Sequence, residues 1–195
     1  VIVALAGWKA CATIGKVANG TDNRSRHRGG LKYMTSIVVR RMQSGDYEAL
    51  RALDDAVMRH SAHAFLGFDW DQATPERREE QRAITPDSFA FYLQTPCSFV
   101  AEDDGMLVGY VLAQPLRHFD LEPLAVWVED ISVHPDHHRR GVATTLYRAL
   151  HDWGKSVGAT AILAGIHVDN AASLAMHRHV GFDLYASRTA VWRLD

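Results

Sequence analysis

The residues best suited to chemistry lie between Trp127 and Tyr147, in the run WVEDISVHPDHHRRGVATTLY. Within it, His138-Arg139-Arg140-Gly141-Val142-Ala143 joins two guanidinium groups to two positions with little or no side chain. If this hexapeptide opens a helix, its first N–H groups have no intrahelical partner and the helix dipole adds partial positive charge. Gly141 and Ala143 let an anion approach those amides, and Arg139 and Arg140 place full charges beside them. The chemistry that fits is capture of a phosphate or diphosphate. The run lacks the GxxxxGK[ST] of a nucleotide-triphosphate loop and the GxGxxG of a dinucleotide fold, so a different diphosphate is expected. The plainer alternative is a basic helix start that meets only solvent.

The elements around this loop follow from residue type and period. WVEDISV is β-branched and aromatic, as a strand is, and Pro135 cannot continue its ladder. From Gly141 the apolar positions Val142, Leu146, Leu150, Trp153 and Val157 recur at helical spacing. Upstream, Ser36–Arg41 alternates as a first strand, and Ser44-Gly45-Asp46 opens a helix carrying Leu50, Leu53, Val57 and Met58. His60–Pro75 is aromatic and irregular. Thr85-Pro86 starts another helix, with Phe89, Tyr92 and Leu93 facing the core. Ser98–Glu102 and Met106–Gln114 read as a hairpin across Asp103-Asp104-Gly105, and Ala125–Val133 as the next strand. After the long helix, Thr160–Val168 reads as a buried strand, and Ala171–His179 as a short helix ended by Gly181. Leu184–Leu194 reads as a closing strand. This order suits an α/β (α+β) fold, with helices on the faces of a mixed sheet.

A second stretch, Asn170-Ala-Ala-Ser-Leu-Ala-Met-His177-Arg-His-Val-Gly181-Phe182, bears on the same chemistry. Together the two stretches resemble the GNAT superfamily of N-acetyltransferases. That family carries [Q/R]-x-x-G-x-[G/A] at a helix start and N-x-x-A-x-x-x-[Y/H]-x-x-x-G-F after the following strand. Here His138 replaces Gln or Arg at the first position, while the backbone donors do not depend on that side chain. Some features resemble phosphinothricin acetyltransferase-like members, which carry histidine where His177 stands. The resemblance covers roughly Ile37 to the C-terminus. It implies a mostly antiparallel twisted sheet flanked by helices, with a central strand–loop–helix cofactor site.

The resemblance also implies roles. Acetyl-coenzyme A would be the co-substrate, its diphosphate held by His138, Arg139, Arg140, Gly141, Val142, Ala143 and Thr144. Ile131, Ser132 and Val133 would lie along its pantetheine arm and thioester, with Asn170 and Ser173 near the pantetheine. Asn170 also fits a helix N-cap before Ala171. Glu129, in the run Glu129-Asp130-Ile131-Ser132-Val133, is the expected general base, directly or through a water; the alternative is a carboxylate that only binds a cationic acceptor. Strand alternation sets Glu129 and Asp130 on opposite faces, so that one of them serves the pocket. His177 is expected to protonate the leaving thiolate, with packing on a helix face as the alternative. Trp70, Asp69 and Asp71 are candidates to meet an amine, against a packed loop with surface acids. The acceptor expected is a primary amine of a small or amino-acid-like molecule. The alternatives are a protein N-terminus or lysine as acceptor, and an inactive module that senses an acyl-coenzyme A. Dimers are common in the family, which makes a homodimer compatible.

Composition narrows the class further. The chain has 195 residues, is 47% hydrophobic and carries a formal charge of −2, as a globular protein does. Its charge is uneven, about +5 over residues 1–34 and about −7 over the rest. An acidic main domain argues against a nucleic-acid partner. Two cysteines, Cys11 and Cys97, give neither a disulfide framework nor zinc spacing, so no metal is expected and a reducing cytoplasm is the simple reading. No run reaches the length of a membrane span. Residues 1–34 read as a disordered N-terminal extension rich in turn residues, with Met34 the expected start of the native domain and 35–195 the folded unit.

Overall fold

Five strands pair in chain order. They are β1 (Val38–Arg41), β2 (Phe99–Asp103), β3 (Met106–Leu116), β4 (Ala125–Val133) and β5 (Ala161–Ala164). The first four are antiparallel and β4 pairs with β5 in parallel, in a computed structural model that describes residues 37–117 and 124–186 apart from the side chain of Phe65. The leader over residues 1–34 lies outside the described residues. So does most of the closing strand expected at Leu184–Leu194, whose first three positions carry no regular structure. The β2–β3 hairpin turns on Asp104 and Gly105, both at positive φ (50° and 77°), as a two-residue turn with strand twist requires.

Helices cover both faces. On one face Val108, Val111, Ala113, Val126 and Val128 pack against Val142, Leu146 and Leu150 of α4 (Val142–Ser156). On the other, Val100, Tyr110 and Leu112 meet Leu50 and Leu53 of α1 (Tyr47–Leu66), Ile84, and Phe89 and Tyr92 of α3 (Pro86–Gln94). Each such side chain, fully buried, contributes about 1.5–3 kcal/mol. The helix α3 starts as expected: Thr85 and Ser88 cap each other reciprocally ahead of Pro86. The short helix α5 (Ala171–Val180) is capped by Asn170, whose side chain accepts from the Ser173 amide at 3.0 Å.

Three expectations change. The buried strand expected at Thr160–Val168 is only Ala161–Ala164 long, and Leu163 alone of its residues is buried. Instead of becoming irregular at His60, α1 runs on to Leu66 and ends on Gly67, at φ 74°. Its extra turns bury Ala62, which joins Met58 against Trp70. A further helix, α2 (Pro75–Gln81), follows a Thr74 cap. Its sequence PERREEQ has no apolar period, and none of its residues is buried. Among the described residues no helix is long and apolar enough to cross a membrane.

Two close approaches shape the functional end. Gly109 in β3 faces the start of α4 so tightly that a Cβ there would sit 2.8 Å from Val142 Cγ1 and 3.1 Å from the Ser132 carbonyl. The first turn of α4 is thereby pressed onto the strand that pairs with the end of β4. On the opposite edge of β4, the ladder with β5 stops at Val128↔Ala164, while β4 continues to Val133. The sheet opens between these strands, beside α4's first turn.

Candidate active site

The loop from β4 to α4 is a short 3₁₀ turn over Pro135–His137 followed by two left-handed residues, Arg139 (φ 61°) and Gly141 (φ 84°). Gly141's carbonyl accepts from Thr145, both N–H (2.9 Å) and Oγ1 (3.0 Å). The amides of Val142, Ala143 and Thr144 therefore have no helical acceptor. A Cβ at Gly141 would meet nothing within 4 Å, so the chain is uncovered at the residue that opens the helix. Arg139 and Arg140 are exposed beside them. Val142 offers a ligand only its amide, because its side chain is buried on Gly109. The His138 ring turns back to the Val133 carbonyl (Nε2 to O, 3.0 Å) and lies edge-on to His60, away from the loop mouth.

Along β4, Ile131 and Val133 pack toward the α4 side, next to the opening left by β5. Ser132 points the other way, its hydroxyl donating to Asp130 at 3.2 Å, and its carbonyl lies toward Gly109 of β3.

The expected alternation of Glu129 and Asp130 is broken. Val128 pairs with Ala113 and Asp130 with Leu112, leaving Glu129 as an extra residue in a β-bulge. Asp130 takes Leu112's face, toward α1 and α3, and accepts from Tyr110 Oη at 2.7 Å. Glu129 bends to the same face and accepts from Trp127 Nε1 at 2.9 Å. Both carboxylates lie near Tyr92, whose phenol burial first, and then these two charges, push above its usual pKa. The physical reason for the correction is that a bulge inserts one residue into the period of two.

Beneath them lies a carboxylate that the sequence reading missed. Asp54 of α1 is only 1% exposed and Asp130 only 4%. Asp54 Oδ2 and Asp130 Oδ1 are both buried without a hydrogen-bond partner. Burial first, and then the charge of Asp130, push the Asp54 carboxyl up to about 7, against the pull of Arg82, whose Nη1 stands 3.6 Å from Oδ2. A signal was present: Leu50, Asp54 and Met58 share one helical stripe, and an acid on an apolar stripe marks a buried polar site. Trp70 is nearby but buried, donating to Asp55 at 3.0 Å, while Asp71 pairs with Arg59 at the surface. Asp69, the third residue expected to meet an amine, is exposed and accepts from the Asp71 amide at 2.9 Å.

His177 is fully buried. Its Nδ1 meets the Ser173 carbonyl at 2.8 Å and its Nε2 meets Tyr147 Oη at 2.7 Å. The pattern assigns the ring proton to Nδ1 and makes Nε2 the acceptor of the tyrosine hydroxyl. Desolvation holds its pKa below the usual histidine value. Tyr147 and Phe182 pack edge-on around the ring. Both nitrogens are thus occupied within the protein. Tyr147, on the packed side of α4, was also missed. Among the described residues, no group of three His, Cys, Asp or Glu side chains stands close enough to hold a metal ion.

The family model described as "Protein of unknown function (DUF1999)" matches residues 37–195. The L-amino acid N-acyltransferase MnaT of Escherichia coli (strain K12) is 34% identical over 92 residues, which are 47% of this chain and 53% of that protein. An aminoglycoside N(6′)-acetyltransferase type 1 of Acinetobacter haemolyticus is 28% identical over 113 residues, 58% of this chain and 76% of that protein. The chain thus spans about half the length of the first of these relatives. Among solved structures, AAC(6′)-Iy bound to a coenzyme A bisubstrate analogue superposes with a TM-score of 0.60 at 23% identity, covering 82% of this chain and 98% of that one. That likeness shows a shared fold.

Proposed function

We propose that this chain, which belongs to the DUF1999 family and has the GNAT acetyltransferase fold, moves an acetyl group from acetyl-coenzyme A to a primary amine of a small molecule. One observation carries the reading: the open amides at the start of α4 adjoin a strand end from which β5 has already parted. A diphosphate on Val142, Ala143 and Thr144, with Arg139 and Arg140 beside it, aims a pantetheine arm into that opening. The unpaired edge of β4 at Ile131 and Val133 then offers its backbone to the arm and to the thioester carbonyl. We assign Asn170 and Ser173 to the same arm; the Asn170 side chain is also the α5 cap.

The acceptor reaches the thioester from the α1 and α3 face, where Glu129 and Asp130 favour a cation. Glu129 takes a proton from the ammonium, directly or through a water, leaving a neutral amine. Its nitrogen attacks the carbonyl carbon; a C–N bond forms and the C–S bond breaks. The nitrogen then gives up a second proton, which passes through water to the thiolate, so that the thiol leaves neutral and the one proton released overall is the one that Glu129 took. A thiol with a pKa of about 8.5, if it behaves as cysteine does, needs little help to leave. We assign His177 to holding α5 on α4 through Tyr147 and Phe182, in place of the proton-donor role expected from the sequence. A reducing cytoplasm suits the buried, unpaired Cys97.

The test is thiol release from acetyl-coenzyme A with a panel of amino acids, aminoglycosides and simple amines. We expect turnover with at least one class. Gly141→Glu, which fills and charges the anion seat, should abolish coenzyme binding. Coenzyme binding without turnover on any amine would favour a sensor, and normal binding by Gly141→Glu would overturn the loop assignment.

A further inference from the structure

Arg139 is a non-glycine residue held at φ 61°, a conformation that side chains other than glycine adopt seldom and at a cost. Such a residue persists only where its surroundings over-determine it. The surroundings on either side of Arg139 converge on one carboxylate. Asp103, the last residue of β2, places Oδ2 3.4 Å from His137 Nε2 and 3.9 Å from Arg140 Nη1. Asp103 and His137 are both buried, whereas the Arg140 side chain is about half exposed. The buried Asp103 Oδ1 and His137 Nδ1 have no other partner. The loop is also tied by His134 N–H to the Val108 carbonyl at 2.9 Å and by the His138 ring to the Val133 carbonyl at 3.0 Å, but both ties lie on the N-terminal side of Arg139.

We propose that Asp103 is a positioning residue for the diphosphate loop. From the end of the β2–β3 hairpin it holds His137 and Arg140, one on each side of Arg139, and keeps Arg139 in the left-handed conformation that turns the following amides outward. Asp103 does not touch the coenzyme. It acts through the backbone of residues 137–141, and it draws the Arg140 guanidinium toward the hairpin. The inference rests on the diphosphate reading of that loop.

The test uses two thioesters, acetyl-coenzyme A and S-acetylpantetheine, which lacks the diphosphate, on the full chain and on Asp103→Asn. The isosteric variant should raise KM for acetyl-coenzyme A about tenfold, equivalent to roughly 1.4 kcal/mol, with kcat changed less than about twofold. Kinetics with S-acetylpantetheine should match the unaltered protein. In an Arg139→Gly background, where the left-handed turn carries no strain, the effect of Asp103→Asn should shrink to less than about twofold. Calorimetric binding of coenzyme A and pantetheine gives the same comparison without turnover. Equal loss with both thioesters, no loss with acetyl-coenzyme A, or an undiminished loss in the Arg139→Gly background would overturn the proposal. Unaltered protein that binds coenzyme A and pantetheine equally would instead overturn the diphosphate reading beneath it.

Discussion

Glu129 is half-buried against Trp127, whereas Asp130 is sealed under Tyr110 and Ser132, although both face α1 and α3. Only Glu129 keeps a route to solvent, and so to an incoming amine. Glu129→Gln is therefore expected to lower kcat by about 10²–10⁴-fold, the usual yield of a general base, while leaving KM for acetyl-coenzyme A in place. Steady-state kinetics checks this; an unchanged kcat would move the base elsewhere. His177 makes the opposite prediction. His177→Phe strips the buried Tyr147 hydroxyl of its acceptor and should cost about 1–3 kcal/mol in denaturant unfolding. Its kcat should stay within a few-fold of the unaltered protein, and a fall of about 10²-fold or more would restore the proton-donor role. Residue types were legible in the sequence at both positions. Their surroundings were not, because His177 owes its burial to Tyr147 on another helix.

Among the elements, the strand–turn–helix from β4 to α4 was legible almost residue for residue. Its signals are local: a β-branched run, a proline stop, and a helical period that begins after a glycine. The extent of α1 was not legible, since Ser61, Ala62 and Ala64 do not oppose a helix but supply little apolar period to announce one. The short α2 was announced only by its Thr74-Pro75 start. The element that places the anion seat is α4, and its position depends on Gly109. Gly109→Ala should drive a Cβ into Val142 and Leu146 and cost about 1–3 kcal/mol of stability, as overpacking does. Because the tighter contact is with Val142, which opens α4, the same variant should raise KM for acetyl-coenzyme A. Denaturant unfolding and kinetics on one preparation test both, and a stability loss with an unchanged KM would separate the helix position from the seat.

The whole molecule carries a conflict of charge at its centre. The Asp54 carboxyl, at about 7 when folded and near 3.8 when free, holds a proton in the native state over the interval between those values. There the folded protein binds more protons than the unfolded chain, so this group's contribution to stability declines as pH rises through that interval. Asp54→Asn cannot ionise and should gain on the unaltered protein as chemical unfolding is moved from about pH 5 to about pH 8. A difference that stays constant across that range would mean that Asp54 is not the group responsible.

By itself the sequence determined the strand that ends at Val133, the glycine-opened helix beyond it and the Asn170 cap. Each depends on hydrogen bonds and periodicity within a few residues of chain. Tertiary structure alone decided that Glu129 and Asp130 share a face, that Asp54 lies beneath Asp130, and that Asp103 grips both sides of Arg139. A bulge exists only relative to a paired strand, and a buried charge is perturbed only by neighbours that folding brings from distant parts of the chain.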